Sequence, residues 1–259
     1  MAQRQSSGSF GSQGNYNRLL GNFGPAGGAT ATLEAPRVSD PTRPPVSDAA
    51  PFTANEVFNK VGILVTLAIV SGIGAAFVHV STGLVVVSML AAFGFSLAGM
   101  FIPRLARIFA PLFAVTEGIA LGWISKLLAG TNGAVVPLAV VGTSVVFVAV
   151  LVLYRTGLVT VGPKFVKATI IAGFGLLAMM IMTAFGVHLP YTSQGTTGLI
   201  VFGFLYLVVA VMDLFVDFSF VYRAQDAGVS KEGEWFAAMA IMMAVVMVYL
   251  ALLRIFGSR

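Results

Sequence analysis

The sequence has no cysteine and few charged residues. Among its 259 residues, 10% are Asp, Glu, Lys or Arg. The lack of cysteine excludes disulfides, thiol catalysis and cysteine metal sites. A soluble domain of this size would carry roughly a quarter charged residues, so the shortage of charge argues against an ordinary soluble fold.

Motifs typical of enzymes and nucleic-acid-binding proteins are also missing. The sequence contains no P-loop, no GxSxG nucleophile elbow, no HExxH helix and no glycine-rich dinucleotide turn. Its 15 basic residues do not form a patch interleaved with aromatics, so we expect no binding to nucleic acid. The two histidines lack a partner at metal-ligand spacing. We therefore expect no enzymatic activity, no cofactor and no metal site.

Apolar residues dominate what is present. They make up 58% of the chain, mostly in runs of about 20 residues, which are typical of transmembrane helices. The runs predict seven spans near residues 61–80, 84–102, 108–128, 135–154, 166–187, 198–221 and 235–256. Gly118 and Gly122 in the third span have GxxxG spacing, which favours close helix packing. We predict an all-α integral membrane protein in which residues 54–259 form a seven-helix bundle in the lipid bilayer.

The first 50 residues have a different composition. They are rich in Gly, Ser, Gln, Asn and Pro and lack the apolar segment of a signal peptide. Such a segment buries too little apolar surface to offset its ordering entropy, so we predict a disordered tail over residues 1–53. Thr53 and Glu56 have the spacing of a capping box, which predicts that the first helix begins there.

The basic residues predict the orientation in the membrane. Twelve fall on one side of the predicted spans: Arg4, Arg18, Arg37, Arg43, Lys60, Arg104, Arg107, Arg155, Lys164, Lys167, Arg223 and Lys231. Three fall on the other: Lys126, Arg254 and Arg259. Because cytoplasmic loops carry the excess of Lys and Arg, we expect a multi-pass protein of the plasma or inner membrane with a cytoplasmic N-terminus.

Acidic residues inside the predicted spans are the candidate functional residues. Asp213 and Asp217 lie one helical turn apart on one face of the sixth span, Glu117 lies in the middle of the third, and Glu234 opens the seventh. A charge deep in the bilayer costs about 2.5–3.5 kcal/mol, so such residues usually face the bundle interior or a water-filled cavity. Two like charges this close also disfavour ionisation of both. We predict that these four residues sense protons and line an ion pathway.

Each of these residues also has a purely structural interpretation. The structural alternative for Glu117 is a protonated carboxyl bonded to a neighbouring helix, and for Asp217 it is solvation or a pair with Arg223. Glu234 is favoured in a first helical turn by the helix dipole alone. Arg104 and Arg107 flank the second predicted connection, and with Arg223 they are candidate charge partners for the acidic residues.

Four segments resemble the Bax inhibitor-1 family, and specifically its bacterial members with a long polar N-terminal tail. They are FAPLFAVTEGIALGWIS, VLYRTGLVTVGPKF, VMDLFVDFSFVYRAQDAGVSKEGEWFAAM and VYLALLRIF. The resemblance implies a seven-helix bundle with the last helix at its centre. It also implies a pH-gated leak of calcium or other cations, with Asp217 as the sensor of the sixth span and Glu117 in a Glu-Gly motif.

The sequence departs from that family in its seventh span. Relatives commonly carry an acidic residue after a Tyr-Leu pair, whereas Tyr249 and Leu250 are followed here by Ala251. Asp213, Glu117 or Glu234 would then have to replace the missing partner, or the protein does not gate as its relatives do.

Three other functions are compatible with the sequence. The main alternative is a non-conducting regulator that binds another membrane protein, such as a quality-control protease or stress factor. A proton-coupled transporter would show saturable uptake of a substrate. An intramembrane protease would need a Ser and His pair, or aspartates on two facing spans, which the Asp213 and Asp217 spacing does not provide.

Overall fold

Seven long helices make up the part of the chain that the structure, a computed structural model, describes: residues 51–77, 81–130, 132–185 and 195–258. They are α1 Ala54–Phe77, α2 Thr82–Phe101, α3 Ala106–Ala129, α4 Val135–Arg155, α5 Pro163–Ala184, α6 Gly195–Asp226 and α7 Gly233–Gly257. All seven are long and apolar enough to cross a membrane. The predicted all-α seven-helix membrane fold is therefore confirmed, whereas the predicted disorder of residues 1–50 lies outside the described residues.

The connections between the helices are short, so successive helices run in opposite directions. A 3-10 turn, Pro103–Leu105, links α2 to α3. We call the end at which α1 begins the basic end, because it carries most of the basic residues of the described chain: Lys60, Arg104, Arg107, Arg155, Lys164, Lys167, Arg223 and Lys231. The other end of the bundle carries Lys126 and Arg254.

The last helix is the most buried of the seven. In α7, 61% of the apolar span is buried within the protein, against at most 33% in any other helix. It packs mainly on α1, α3, α4 and α6, while α5 packs on α6. Small buried side chains such as Ala238 and Ala244 let its neighbours approach closely. The central last helix, which the family resemblance implied, is confirmed.

Glycines set the distance between α1 and α3. A Cβ added at Gly118 would overlap the Ala68 carbonyl and the Ser71 hydroxyl of α1, and one added at Gly122 would overlap Gly72. The two glycines with GxxxG spacing therefore lie against α1 within the protein. Their contact fixes α3, and with it Glu117, next to α1.

Candidate functional site

Asp213 and Asp217 lie where the predicted face of the sixth span placed them. Because α6 is one continuous helix of 32 residues, the spacing of four residues keeps both side chains on one face. Both residues are half-buried. The Oδ2 atom of Asp217 is buried and has no hydrogen-bond partner among the described residues. A buried polar atom without a partner is uncommon in proteins, and it marks Asp217 as a candidate functional residue.

The surroundings of the two aspartates are apolar. Leu214 and Phe218, their neighbours on α6, are fully buried. Two contacts fix the register of the antiparallel helices α6 and α7: the rings of Phe220 and Phe236 lie 5.9 Å apart, and Ile255 lies against Gly203. This register places Asp217 level with Met239 and Asp213 level with Met243. The central helix therefore presents apolar side chains at the depth of the aspartates.

Ala251, which replaces the acidic residue of the family pattern, lies at a different depth. It is fully buried beside Gly203 and belongs to a cluster with Phe202 and Tyr206. Along α7 it stands eight residues beyond the level of Asp213, which is about 12 Å. An acidic residue at position 251 would thus not lie directly opposite Asp213, so its absence removes no direct neighbour of the aspartate pair.

Glu117 is half-buried in the middle of α3 and is brought towards the same region. The phenol of Tyr206 lies within electrostatic reach of Glu117, Asp213 and Arg254. The guanidinium of Arg254 stacks over the ring of Phe202, 5.1 Å from its centroid. Acidic groups of α3 and α6 and a cation of α7 therefore act electrostatically on the same tyrosine.

Tyr206 and Arg254 are residues that the sequence reasoning missed. Tyr206 precedes Asp213 by seven residues, which is close to two helical turns, so it shares the face of the aspartates. That spacing was a signal available in the sequence. Arg254 was counted only as a topology residue at the end of a span, and no sequence pattern links it to the acidic residues.

Glu234 has a different environment from the other three acidic residues. Its side chain is fully buried, and its Oε2 accepts a hydrogen bond from Lys60 Nζ at 2.5 Å. Its Oε1 accepts one from the backbone N–H of Thr53 at 3.1 Å. Lys60 also lies 3.4 Å from Glu56 and 5.6 Å from the ring of Trp235. Glu234 is thus part of a buried ion pair at the basic end.

In the predicted capping box of α1, the bond between the Glu56 side chain and the Thr53 N–H is replaced by other contacts of both residues. The N–H of Thr53 is accepted by Glu234 of α7, and Glu56 instead pairs with Lys60 one turn along α1. The predicted helix start is confirmed, since α1 begins at Ala54, but the Thr53 N–H bonds to another helix instead of to Glu56 because the helix start is packed against α7.

The three arginines proposed as charge partners lie at the surface of the basic end. Arg104 and Arg107 are exposed, and within the described chain neither forms an ion pair with a carboxylate. Arg223 donates a hydrogen bond to the carbonyl of Val161 in the α4–α5 connection. Two carboxylate ion pairs of the described residues join Lys60 to Glu56 and to Glu234. From the sequence alone, Lys60 contributes only to the predicted topology.

No three His, Asp or Glu side chains of the described residues lie together as a metal site would require. Among the described residues, Glu117, Asp213 and Asp217 therefore do not form the ligand cluster that a firmly held metal needs.

A sequence profile of the family described as "Bax inhibitor 1 like" matches residues 3–258, almost the whole chain. The chain belongs to the Bax inhibitor 1-like family. A search of curated proteins returns no match to this chain. The family assignment and the seven apolar helices together make this Bax inhibitor 1-like protein a multi-pass membrane protein.

Proposed function

We propose that this Bax inhibitor 1-like protein lets cations, and calcium in particular, leak across its membrane under the control of protons. The observation that carries the proposal is the buried Asp217 Oδ2 without a hydrogen-bond partner among the described residues, one turn from Asp213. An ionised carboxylate in this position would lack the solvation that it needs, whereas a protonated one is tolerated. Glu117 of α3, a helix that packs on the central α7, adds a third acidic group.

The mechanism couples ionisation to opening. With a proton on Asp217, α6 and α7 close against each other without a buried charge. When Asp213, Asp217 and Glu117 ionise, they repel one another and draw in water and cations, which loosens the bundle. Calcium suits the site because it prefers carboxylate and carbonyl oxygens. Cation flux is therefore expected to rise as the pH rises.

The orientation and location belong to the same proposal. The basic end of the bundle lies in the cytoplasm, because short cytoplasmic loops carry the excess of Lys and Arg. The membrane is the plasma or inner membrane. We propose no enzymatic activity: an intramembrane protease would lose cleavage on Asp213→Asn or Asp217→Asn, and we expect no cleavage from the unchanged protein.

Calcium uptake into proteoliposomes across a range of pH tests the proposal. We expect Asp217→Asn to weaken the pH dependence, and the double variant with Asp213→Asn to weaken it further, because an amide cannot ionise and only Glu117 then remains. Asp226→Asn is the matched control, since Asp226 is an exposed acid at the end of the same helix. Equal flux and equal pH dependence in the unchanged protein and the double variant would remove these residues from gating.

The second candidate function is a non-conducting regulator of another membrane protein, such as a quality-control protease or stress factor. The apolar side chains that α7 presents at the depth of Asp213 and Asp217 favour this alternative, because they offer no oxygen ligand to a cation. Deleting residues 1–50 separates the two functions. Loss of partner binding with no calcium flux in either form would support the regulator, while unchanged flux after deletion would support the leak.

A further inference from the structure

The first described residues are fastened to the far end of the chain. Three successive backbone N–H groups donate to the α6–α7 region: Phe52 to Val229 O at 3.0 Å, Thr53 to Glu234 Oε1 at 3.1 Å and Ala54 to Gln225 Oε1 at 2.7 Å. Pro51 forms an isolated antiparallel bridge with Ser230. We call residues 51–54 the strap. The start of a helix normally leaves such N–H groups without partners, and here another part of the chain supplies them.

The strap is anchored by burial as well as by hydrogen bonds. Phe52 is 2% exposed and packs in the main hydrophobic core with Val229. Composition predicts that residues 51–53 belong to the tail, but the buried Phe52 places them within the bundle. Composition is averaged over a whole segment, so it does not reveal a single buried residue at the edge of that segment.

The Lys60–Glu234 ion pair is in direct contact with the strap, because Thr53 donates to Glu234 Oε1. The Glu234 carboxylate stands in the first turn of α7 and also accepts from the first residues of α1, so the positive ends of two helix dipoles stabilise its charge. Lys60 is 8% exposed and supplies the counter-charge. The pair therefore joins α1 to α7, and the strap joins the start of α1 to α6, to α7 and to the connection between them, all at the same end.

This arrangement stands between Asp217 and the basic end. In the register of α6 against α7, Glu234 is level with Tyr222, which is five residues, or about 7.5 Å, nearer the basic end than Asp217. α1 and α7 are therefore held together on the side from which cytoplasmic water would reach the aspartates.

We infer that the strap and the Lys60–Glu234 pair form a latch, which must release before α1 and α7 separate at the basic end. The latch itself depends only on the contacts described above. Its role in admitting ions to Asp217 rests on the proposed function.

Cysteine labelling tests the latch without measuring flux. The chain has no cysteine, so Ser230→Cys introduces a single thiol at a position that is 4% exposed. We expect Glu234→Gln, which keeps the shape but removes the charge, to raise the rate of maleimide labelling at position 230 roughly tenfold. Asp226→Cys, exposed in the same region, is the control whose rate should not change.

A second variant controls for misfolding of Glu234→Gln. Lys60→Met with Glu234→Gln removes both charges, which buried pairs often tolerate, and we expect it to fold and to label at position 230 as fast as Glu234→Gln. Labelling at the unchanged rate in both variants would overturn the latch. Faster labelling confined to position 230, with the rate at position 226 constant, would support it.

A disulfide across the strap tests the link to ion flux. The Cα atoms of paired residues on antiparallel strands lie about 4.5–5.5 Å apart, which is within the range that a disulfide spans. Pro51 and Ser230 are such a pair, so oxidation of the double variant Pro51→Cys and Ser230→Cys should lock the strap. We expect calcium flux in proteoliposomes to fall severalfold on oxidation and to recover on reduction, with the single cysteine variants unaffected. Unchanged flux in the locked protein would overturn the gating role. If the unchanged protein conducts no calcium at any pH, the proposed function fails, and labelling still decides the latch.

Discussion

The basic end of the bundle and its middle are held together by different interactions. At the basic end, directional bonds join separate helices: Lys60 pairs with Glu234, and Arg155 donates to the Tyr222 hydroxyl at 2.9 Å. In the middle, helices touch through small residues such as Gly118, and Asp217 keeps a buried oxygen without a partner among described residues. The end is thus fixed by bonds that can be broken individually, and the middle by the shapes of the helices.

The bilayer explains this division. Lipid tails are as apolar as leucine, so no hydrophobic force drives helices together in the middle, and close packing of small residues takes that role. Polar side chains near the ends can exchange their partners for water, so hydrogen bonds there cost little to open. A helix bundle built this way can loosen at one end while its middle stays packed.

The largest effect on stability is expected from breaking the ion pair on one side only. Lys60→Met leaves Glu234 buried without its counter-charge, which should lower the free energy of unfolding by about 3–5 kcal/mol. Thermal unfolding in detergent measures the loss. Adding Glu234→Gln should recover most of it, because both charges are then gone. Equal stability of the Lys60→Met variant and the unchanged protein would show that water already solvates Glu234.

A smaller effect is expected in the middle of the bundle. Gly118→Ala places a methyl group against α1, and such overpacking should lower the free energy of unfolding by about 1–3 kcal/mol. Gly74→Ala is the matched control, because a Cβ there meets nothing within 4 Å. Thermal unfolding of both variants in detergent gives the comparison. If both substitutions lower the free energy of unfolding equally, the close contact at Gly118 does not hold α1 against α3.

The fold could be predicted from the sequence because its signal is repeated in every segment. Each apolar run of about 20 residues predicts its own span, and an error of a few residues at an end changes nothing else. The position of the central helix came from the family resemblance. The face shared by Asp213 and Asp217 was also predictable, since it depends only on the spacing of residues within one helix.

The partners of the acidic residues could not be predicted in the same way. Lys60 and Glu234 are separated by 174 residues, and nothing near either one indicates the other. Thr53 had a local partner in Glu56 at the right spacing, and tertiary packing gave it a distant one instead. Local patterns thus identify which residues carry charge, whereas only the packing of helices decides which charges meet.

The smallest expected effect concerns the end opposite the basic end. There the Tyr249 hydroxyl lies 2.8 Å from Ser125 Oγ, which also donates to the carbonyl of Leu121. Tyr249→Phe should therefore lower the free energy of unfolding by only about 1 kcal/mol, because the serine keeps a second partner. Tyr222→Phe at the basic end should cost less, about 0.5 kcal/mol or under, since its bond to Arg155 is exposed. Thermal unfolding in detergent compares the two. A larger loss for Tyr222→Phe would mean that directional bonds at the basic end are stronger than their exposure indicates, and that this end opens less readily than the rest of the bundle.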